Sequence, residues 1–270
     1  MTNSIKIAAI QMVSSSCLDE NLLTAQKLCI ESVRQGAEIV VLPEYFIYIG
    51  EANSREIYEI ATTTIQEKIL STLSKLAKTQ KVYIVAGSIP TQDITSDKLF
   101  NTCFVFNSAG KIVCQYNKIH TFKYQSSKLK FDEAINYSNG DKVVAFNYKG
   151  FNLGLAICFD IRFPELFRQL LGVDAFIIPA AFISETGQAH WETILRTRAI
   201  ENQCYVIASA QGGTHSNGRK TYGHSLIINP WGTVEHLVAT GEGVIIGSIN
   251  KDKITQIRTQ LPAIDCCKLL

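Results

Sequence analysis

Apolar residues follow two alternating patterns along this chain. In the first they form short unbroken runs, bounded by glycine, proline, asparagine or charge, as expected of strands buried on both faces. Such runs are "IKIAAIQM" (5–12), "AEIVVLP" (37–43), "VYIVAGS" (82–88), "NTCFVFN" (101–107), "IVCQYNK" (112–118), "VVAFNY" (143–148), "LGLAI" (153–157), "AFIIPA" (175–180), "YVIASA" (205–210), "HSLIINP" (224–230) and "GVIIGSI" (243–249). In the second pattern apolar positions recur every third or fourth residue, which predicts amphipathic helices over 19–35, 64–79, 164–171 and 189–202. "NSAG" at 107–110 and "NYKG" at 147–150 read as hairpin turns, because asparagine and glycine tolerate the positive φ such turns need. No linker, repeat or low-complexity segment interrupts the alternation, so residues 1–270 read as a single α/β domain: two packed sheets with helices outside.

Composition narrows the class of function. The 270 residues are 46% hydrophobic and 19% charged with a net charge of only +2, and lysine and arginine are scattered. That balance gives no electrostatic reason to expect nucleic acid or a membrane surface as partner, and points to a small molecule. The opening "MTNSIKIAAIQMV" carries one lysine before a short apolar run broken by Gln11. No stretch approaches the ~18 apolar residues of a membrane span, and the reading is a cytoplasmic protein. Eight cysteines show neither C-x-x-C nor a zinc-type Cys/His spacing, so no metal, cofactor or disulfide framework is expected. Cys29, Cys103, Cys114 and Cys204 fall in apolar patterns and read as small core residues, and Cys17 as a loop residue.

Chemistry enters where three of the runs end. In "GLAICFDIRFPELFR" the run closes on Cys158, and Pro164 suits the first turn of a following helix, which sets the thiol on a strand-to-helix turn. Open α/β sheets place ligands at strand carboxyl ends, and backbone N–H groups at such a turn can hold an oxyanion. A lone cysteine in an apolar context reads more readily as a buried structural residue. Glu44 follows the run "AEIVVLP", either as the first solvated loop residue or as a base in a partly dry cleft. Lys118 closes "IVCQYNK", as surface lysine or as a cation aimed at the same place. One acid, one amine and one thiol ending three separate buried strands form a pattern that coincidence explains poorly.

With "LPEYF", "YNKIHTF" and "CFDIRFPELFR" in that order, the chain resembles the nitrilase superfamily of carbon–nitrogen hydrolases along nearly its whole length. The resemblance implies a nitrilase-like α-β-β-α sandwich, four layers deep. It also implies a Glu-Lys-Cys triad: Glu44 as base, Lys118 as stabiliser of the tetrahedral intermediate, and Cys158 as nucleophile. Glu133 in "DEAINYSNG" matches a further family glutamate that orients the lysine. No cofactor is implied, and association into a homodimer through the surface near the nucleophile helix is. The segments 186–213 and 219–234 resemble the branch that includes deaminated glutathione amidase and omega-amidase, and "RKTYGHS" leans toward the former. Lys123 departs from the family, which carries an acid there.

These residues together imply an amidase acting on a linear amide of a small carboxylic acid through a thioester, plausibly deaminated glutathione. An omega-amidase is the alternative within the family, and a silent interaction protein the alternative outside it. The oxyanion would meet Lys118 and a backbone N–H near Phe159. Arg198 shares a helix face with Trp191, Ile194 and Leu195 and must find an anion, either substrate or an acid such as Glu201. Arg162 has the same two readings, with Asp160 as its possible partner across the turn. Arg219 and Lys220 in the loop "GGTHSNGRKTYG" are the better candidates for a substrate carboxylate. His190 and His224 read as hydrogen-bonding residues, and Trp191 and Trp231 as core.

Overall fold

A computed structural model describes residues 3–50, 55–127 and 130–268. Two sheets pack face to face with helices on their outer sides. Across the first sheet the strands run Gly243–Asn250, Ser4–Gln11, Ile39–Val41, Tyr83–Val85, Leu99–Phe106 and Ile89–Gln92, with Ile112–Asn117 also paired to Leu99–Phe106. Across the second they run Val234–Val238, Ser225–Ile228, Tyr205–Ala210, Ala175–Ala180, Phe151–Leu155 and Ala145–Tyr148. A separate hairpin pairs Lys123–Gln125 with Lys130–Asp132.

The unbroken apolar runs arise because the central strands of the first sheet, Ser4–Gln11, Ile39–Val41, Tyr83–Val85 and Leu99–Phe106, bury both faces, and successive side chains point to opposite faces. Ile7, Ala9, Ile39, Val41, Val85, Cys103 and Val105 join the core between the sheets. Their neighbours Ala8, Ile10, Val40, Ile84, Phe104 and Phe106 join a second core under the helices. Helix Leu18–Arg34 buries Leu22, Ala25, Leu28, Cys29 and Ser32, and helix Thr63–Gln80 buries Ile69, Leu73, Leu76 and Ala77, each set on one face. On the second sheet, helix Ser184–Asn202 buries Trp191, Leu195 and Arg198, and the short helix Pro164–Arg168 opens on its proline. Both expected hairpins form, and at the second the turn places Lys149 at φ 48° and Gly150 at φ 86°, the left-handed pair a two-residue hairpin requires.

Several elements depart from the sequence reading. Strand Ile89–Gln92 carries Pro90, helix Arg55–Ile60 is short, and strand Val234–Val238 has an exposed middle, so none displays a clear period. Helix Lys251–Gln260 is mostly polar; it buries only Ile254 and Ile257 and is fixed by Asn250, whose side chain accepts from the N–H groups of Asp252 and Lys253. Trp231, read as core, is 59% exposed on a turn. The eight cysteines are unlinked, with Cys17, Cys266 and Cys267 exposed. Among the described residues no helix is long and apolar enough to cross a membrane.

Candidate active site

Four strand ends meet where the two sheets and the hairpin come together. Ile39–Val41 leads through Leu42 and Pro43 to Glu44; Ile112–Asn117 leads directly to Lys118; Lys130–Asp132 leads to Glu133; and Phe151–Leu155 leads to Cys158. Ile39–Val41 and Phe151–Leu155 are anchored by buried apolar residues and Ile112–Asn117 by Tyr116, so the side chains beyond them inherit fixed positions, while Glu133 is held by its N–H on the Phe122 carbonyl at 2.8 Å. Gly87 makes the approach to Glu44 possible: at φ 47° it passes so close that a Cβ there would sit 2.0 Å from the Pro43 carbonyl oxygen.

The ammonium of Lys118 lies between two carboxylates, 2.9 Å from Glu44 Oε1 and 2.8 Å from Glu133 Oε2. All three side chains are almost fully buried. Burial by itself would drive the lysine toward its neutral form, but Glu133 and then Glu44 outweigh it and hold its pKa above the ordinary lysine value. Burial likewise opposes ionisation of Glu133. Lys118 reverses that, helped by the Phe122 N–H at 2.6 Å from Oε2 and the Tyr45 hydroxyl at 2.6 Å from Oε1, and the carboxyl sits below the usual range. The remaining oxygen of Glu44, Oε2, accepts the Ala181 N–H at 2.8 Å, which fastens the acid of one sheet to a strand end of the other.

Cys158 occupies the turn at φ 49°, in the left-handed region that a non-glycine residue enters only at a cost of about 1–3 kcal/mol. Its thiol shares a pocket with Glu44, Lys118 and Ala181. Burial, followed by the nearby Glu44 charge, pushes its pKa well above the free-thiol value. The resting sulfur is therefore protonated, and an attack requires a base at the moment of reaction. Glu44 is a carboxylate lining the same pocket.

Two further residues hold this arrangement, Asn101, which nothing in the sequence marks, and Asp160, expected only as a partner of Arg162. Asn101, at the start of its strand, donates from Nδ2 to Glu44 Oε1 at 2.9 Å and to Glu133 Oε1 at 3.2 Å. Asp160 is fully buried and accepts from Tyr116 Oη at 2.6 Å and from the His120 and Ile157 N–H groups at 2.9 Å each, tying the segment after Lys118 to the nucleophile turn. Asp160 thus does not pair with Arg162. The Arg162 guanidinium instead lies over the Phe159 and Phe182 rings and within 3.4 Å of His190 Nδ1, with no acid paired to it among the described residues.

A pocket enclosing about 310 Å³ opens over Cys158, walled by Glu44, Lys118, Phe122, Phe182 and Arg219 among others. Arg219 stacks over Phe131 and donates to the Ala181 carbonyl at 3.2 Å; no acid pairs with it among the described residues. Besides Arg162, three other expected substrate contacts lie outside this lining. Arg198 is buried away from the pocket, bonded to Glu201 and, at 2.7 Å, to the Ile161 carbonyl, because a guanidinium on an apolar helix face must be neutralised locally. Lys220 points into solvent from the rim of its loop, and only its backbone is engaged, by Ser184. The Phe159 ring packs on Phe122 and Phe163 and does not line the pocket. Lys123 pairs with Asp132 at 2.8 Å across the hairpin, one residue from Glu133. Among the described residues no group of three His, Cys, Asp or Glu side chains is placed to hold a metal ion.

Comparison with known proteins identifies the family. A sequence profile of the carbon–nitrogen hydrolase family matches residues 6–259. A deaminated glutathione amidase of a Synechocystis species is 40% identical over 265 residues, 95% of this chain and 96% of the relative. The human omega-amidase NIT2 is 35% identical over 262 residues, 96% and 93% of the two chains. Among solved structures, the C. elegans NitFhit protein superposes with a TM-score of 0.92 at 32% identity, over 99% of this chain and 66% of that longer one. Saccharomyces cerevisiae Nit3, of the nitrilase superfamily, superposes with a TM-score of 0.86 at 29% identity, over 100% and 97%. With a family profile and full-length relatives covering the same strands that deliver Glu44, Lys118 and Cys158, the chain belongs to the carbon–nitrogen hydrolases of the nitrilase superfamily.

Proposed function

We propose that this protein is a cysteine-dependent amidase hydrolysing a linear amide of a small carboxylic acid, with deaminated glutathione as substrate. The observation that carries the reading is one pocket holding a protonated thiol against Glu44, a fixed ammonium, and an arginine with no acid paired to it among the described residues. Glu44 takes the Cys158 proton as the sulfur attacks the amide carbon. Negative charge then gathers on the carbonyl oxygen beside the Lys118 ammonium and the N–H groups that open the helical turn at Phe159; such a donor is worth about 10²–10³ in rate. Glu44 returns the proton to the nitrogen as the C–N bond breaks, leaving a thioester and a free amine. It then deprotonates a water that attacks the thioester, releasing the acid and restoring the thiol. Glu133, Asn101 and Tyr45 position Lys118 and Glu44 and do not touch the reacting atoms. Arg219 receives a substrate carboxylate, pairing with it bidentately.

Relatives of about equal coverage are named as deaminated glutathione amidase and as omega-amidase, with the higher identity to the former. Release of α-ketoglutarate from deaminated glutathione and from α-ketoglutaramate discriminates between them. Faster turnover of the first supports the proposal, and faster turnover of the second replaces it with an omega-amidase. Intact-protein mass after incubation with the amide should reveal an acyl adduct that Cys158→Ala abolishes; no turnover of either amide and no adduct would leave a binding protein. The family resemblance further supports a cytoplasmic homodimer, which sedimentation of the purified chain tests.

A further inference from the structure

A second pocket of about 490 Å³ lies beside the catalytic one. Tyr45, Phe131 and Arg219 line both, so these three side chains are the partition between them. Beyond it the walls are apolar: Ile47, Ile57, Ile60, Pro90 and the Tyr137 ring, with no carboxylate among the lining residues. An apolar concavity that shares a wall with a reactive pocket is where a compact part of a substrate gains affinity by leaving water.

The direction of the reaction says which part. Glu44 must give its proton to the departing nitrogen, so the amine half of the substrate lies on the Glu44 side of the scissile carbon. The next residue, Tyr45, turns through φ 54° and places its ring in the partition, tilted against Tyr137 at 6.2 Å. A substituent on that nitrogen therefore passes Tyr45 into the second pocket. We infer that this pocket receives the amine portion of the substrate, and that besides deaminated glutathione, whose leaving amine is polar, the protein cleaves secondary amides whose leaving amine carries a compact apolar or aromatic group. This rests on the amidase reading above. The bond changes are the same: the amide C–N bond gives way to a thioester, and the proton from Glu44 leaves on the substituted amine.

The test compares succinamic acid with N-benzylsuccinamic acid, which share their acyl half and differ only in the amine, by release of succinate. Burial of the benzyl group should raise kcat/KM by about tenfold or more over the primary amide. Ile57→Phe, which fills the pocket from helix Arg55–Ile60, should remove most of that advantage while changing succinamate turnover less than about twofold. A wild-type protein that does not favour the N-benzyl amide overturns the inference, and that comparison needs no variant to fold. A variant effect of equal size on both amides also overturns it. Release of α-ketoglutarate from deaminated glutathione reports on the amidase reading separately, so loss of the benzyl preference with that activity intact removes the second pocket alone.

Discussion

Replacing Lys118 by methionine keeps the length of the side chain and removes its charge. In the folded protein that leaves Glu44 and Glu133 buried without the ammonium that now lies 2.9 and 2.8 Å from them. Breaking a buried ion pair from one side costs about 3–5 kcal/mol, a large share of the roughly 5–15 kcal/mol that holds a domain folded. The loss must depend on pH. In the wild type the Glu133 carboxyl sits below its unfolded value, so its contribution is present above the ordinary glutamate range and is lost as pH falls through the lower folded value. Without the ammonium, burial and the neighbouring carboxylate dominate, and one of the two acids is pushed up instead. The folded variant then binds a proton that its unfolded chain does not, so its deficit relative to wild type grows as pH rises above the unfolded value. Urea unfolding, followed by fluorescence of the buried Trp191, should give a deficit of about 3–5 kcal/mol at pH 8 that shrinks by at least about 1.4 kcal/mol at pH 5, one pKa unit's worth. Adding Glu133→Gln to the variant should recover part of the loss, because one carboxylate then has nothing to repel. An equal deficit at both pH values, or a double variant no more stable than the single one, would refute the electrostatic account.

Because burial and Glu44 raise the Cys158 thiol, its reactivity toward iodoacetamide at pH 7 should lag behind that of the exposed Cys17, Cys266 and Cys267, as peptide mass mapping would reveal; preferential alkylation of Cys158 would indicate a resting thiolate instead. Cys29, pushed up to about 12 by complete burial, should stay unmodified until the chain unfolds. Arg219→Leu should raise KM about 10- to 100-fold for amides bearing a carboxylate, the worth of a charge-assisted hydrogen bond, and leave neutral amides unaffected; equal losses on both would assign Arg219 to structure. Gly87→Ala should lower both the thermal midpoint and activity, since the new methyl must displace the Pro43 carbonyl that precedes Glu44; a variant of unchanged rate would mean the loop yields freely.

The sequence by itself determined the two-sheet architecture and singled out the residues proposed to carry the chemistry. A strand buried on both faces has no polar positions, so a run such as "AEIVVLP" or "LGLAI" announces itself, and the acid, amine or thiol that ends it stands out. Glu44, Lys118 and Cys158 are legible for that local reason, and their order matches a family motif. Only the tertiary structure decided what surrounds them. Asp160 and Arg198 each sit near a plausible partner in sequence, yet Asp160 goes to Tyr116 and His120, 44 and 40 residues away, and Arg198 turns away from the pocket to Glu201 and Ile161. Asn101 carries no mark of its role, because that role is two carboxylates delivered by other strands. The elements that escaped notice, the hairpin Lys123–Asp132 and helix Lys251–Gln260, bury too few apolar residues to impose a period. Periodicity records how a segment meets a core. Pairing between polar groups depends on which strands become neighbours, and that is settled only when the whole chain packs.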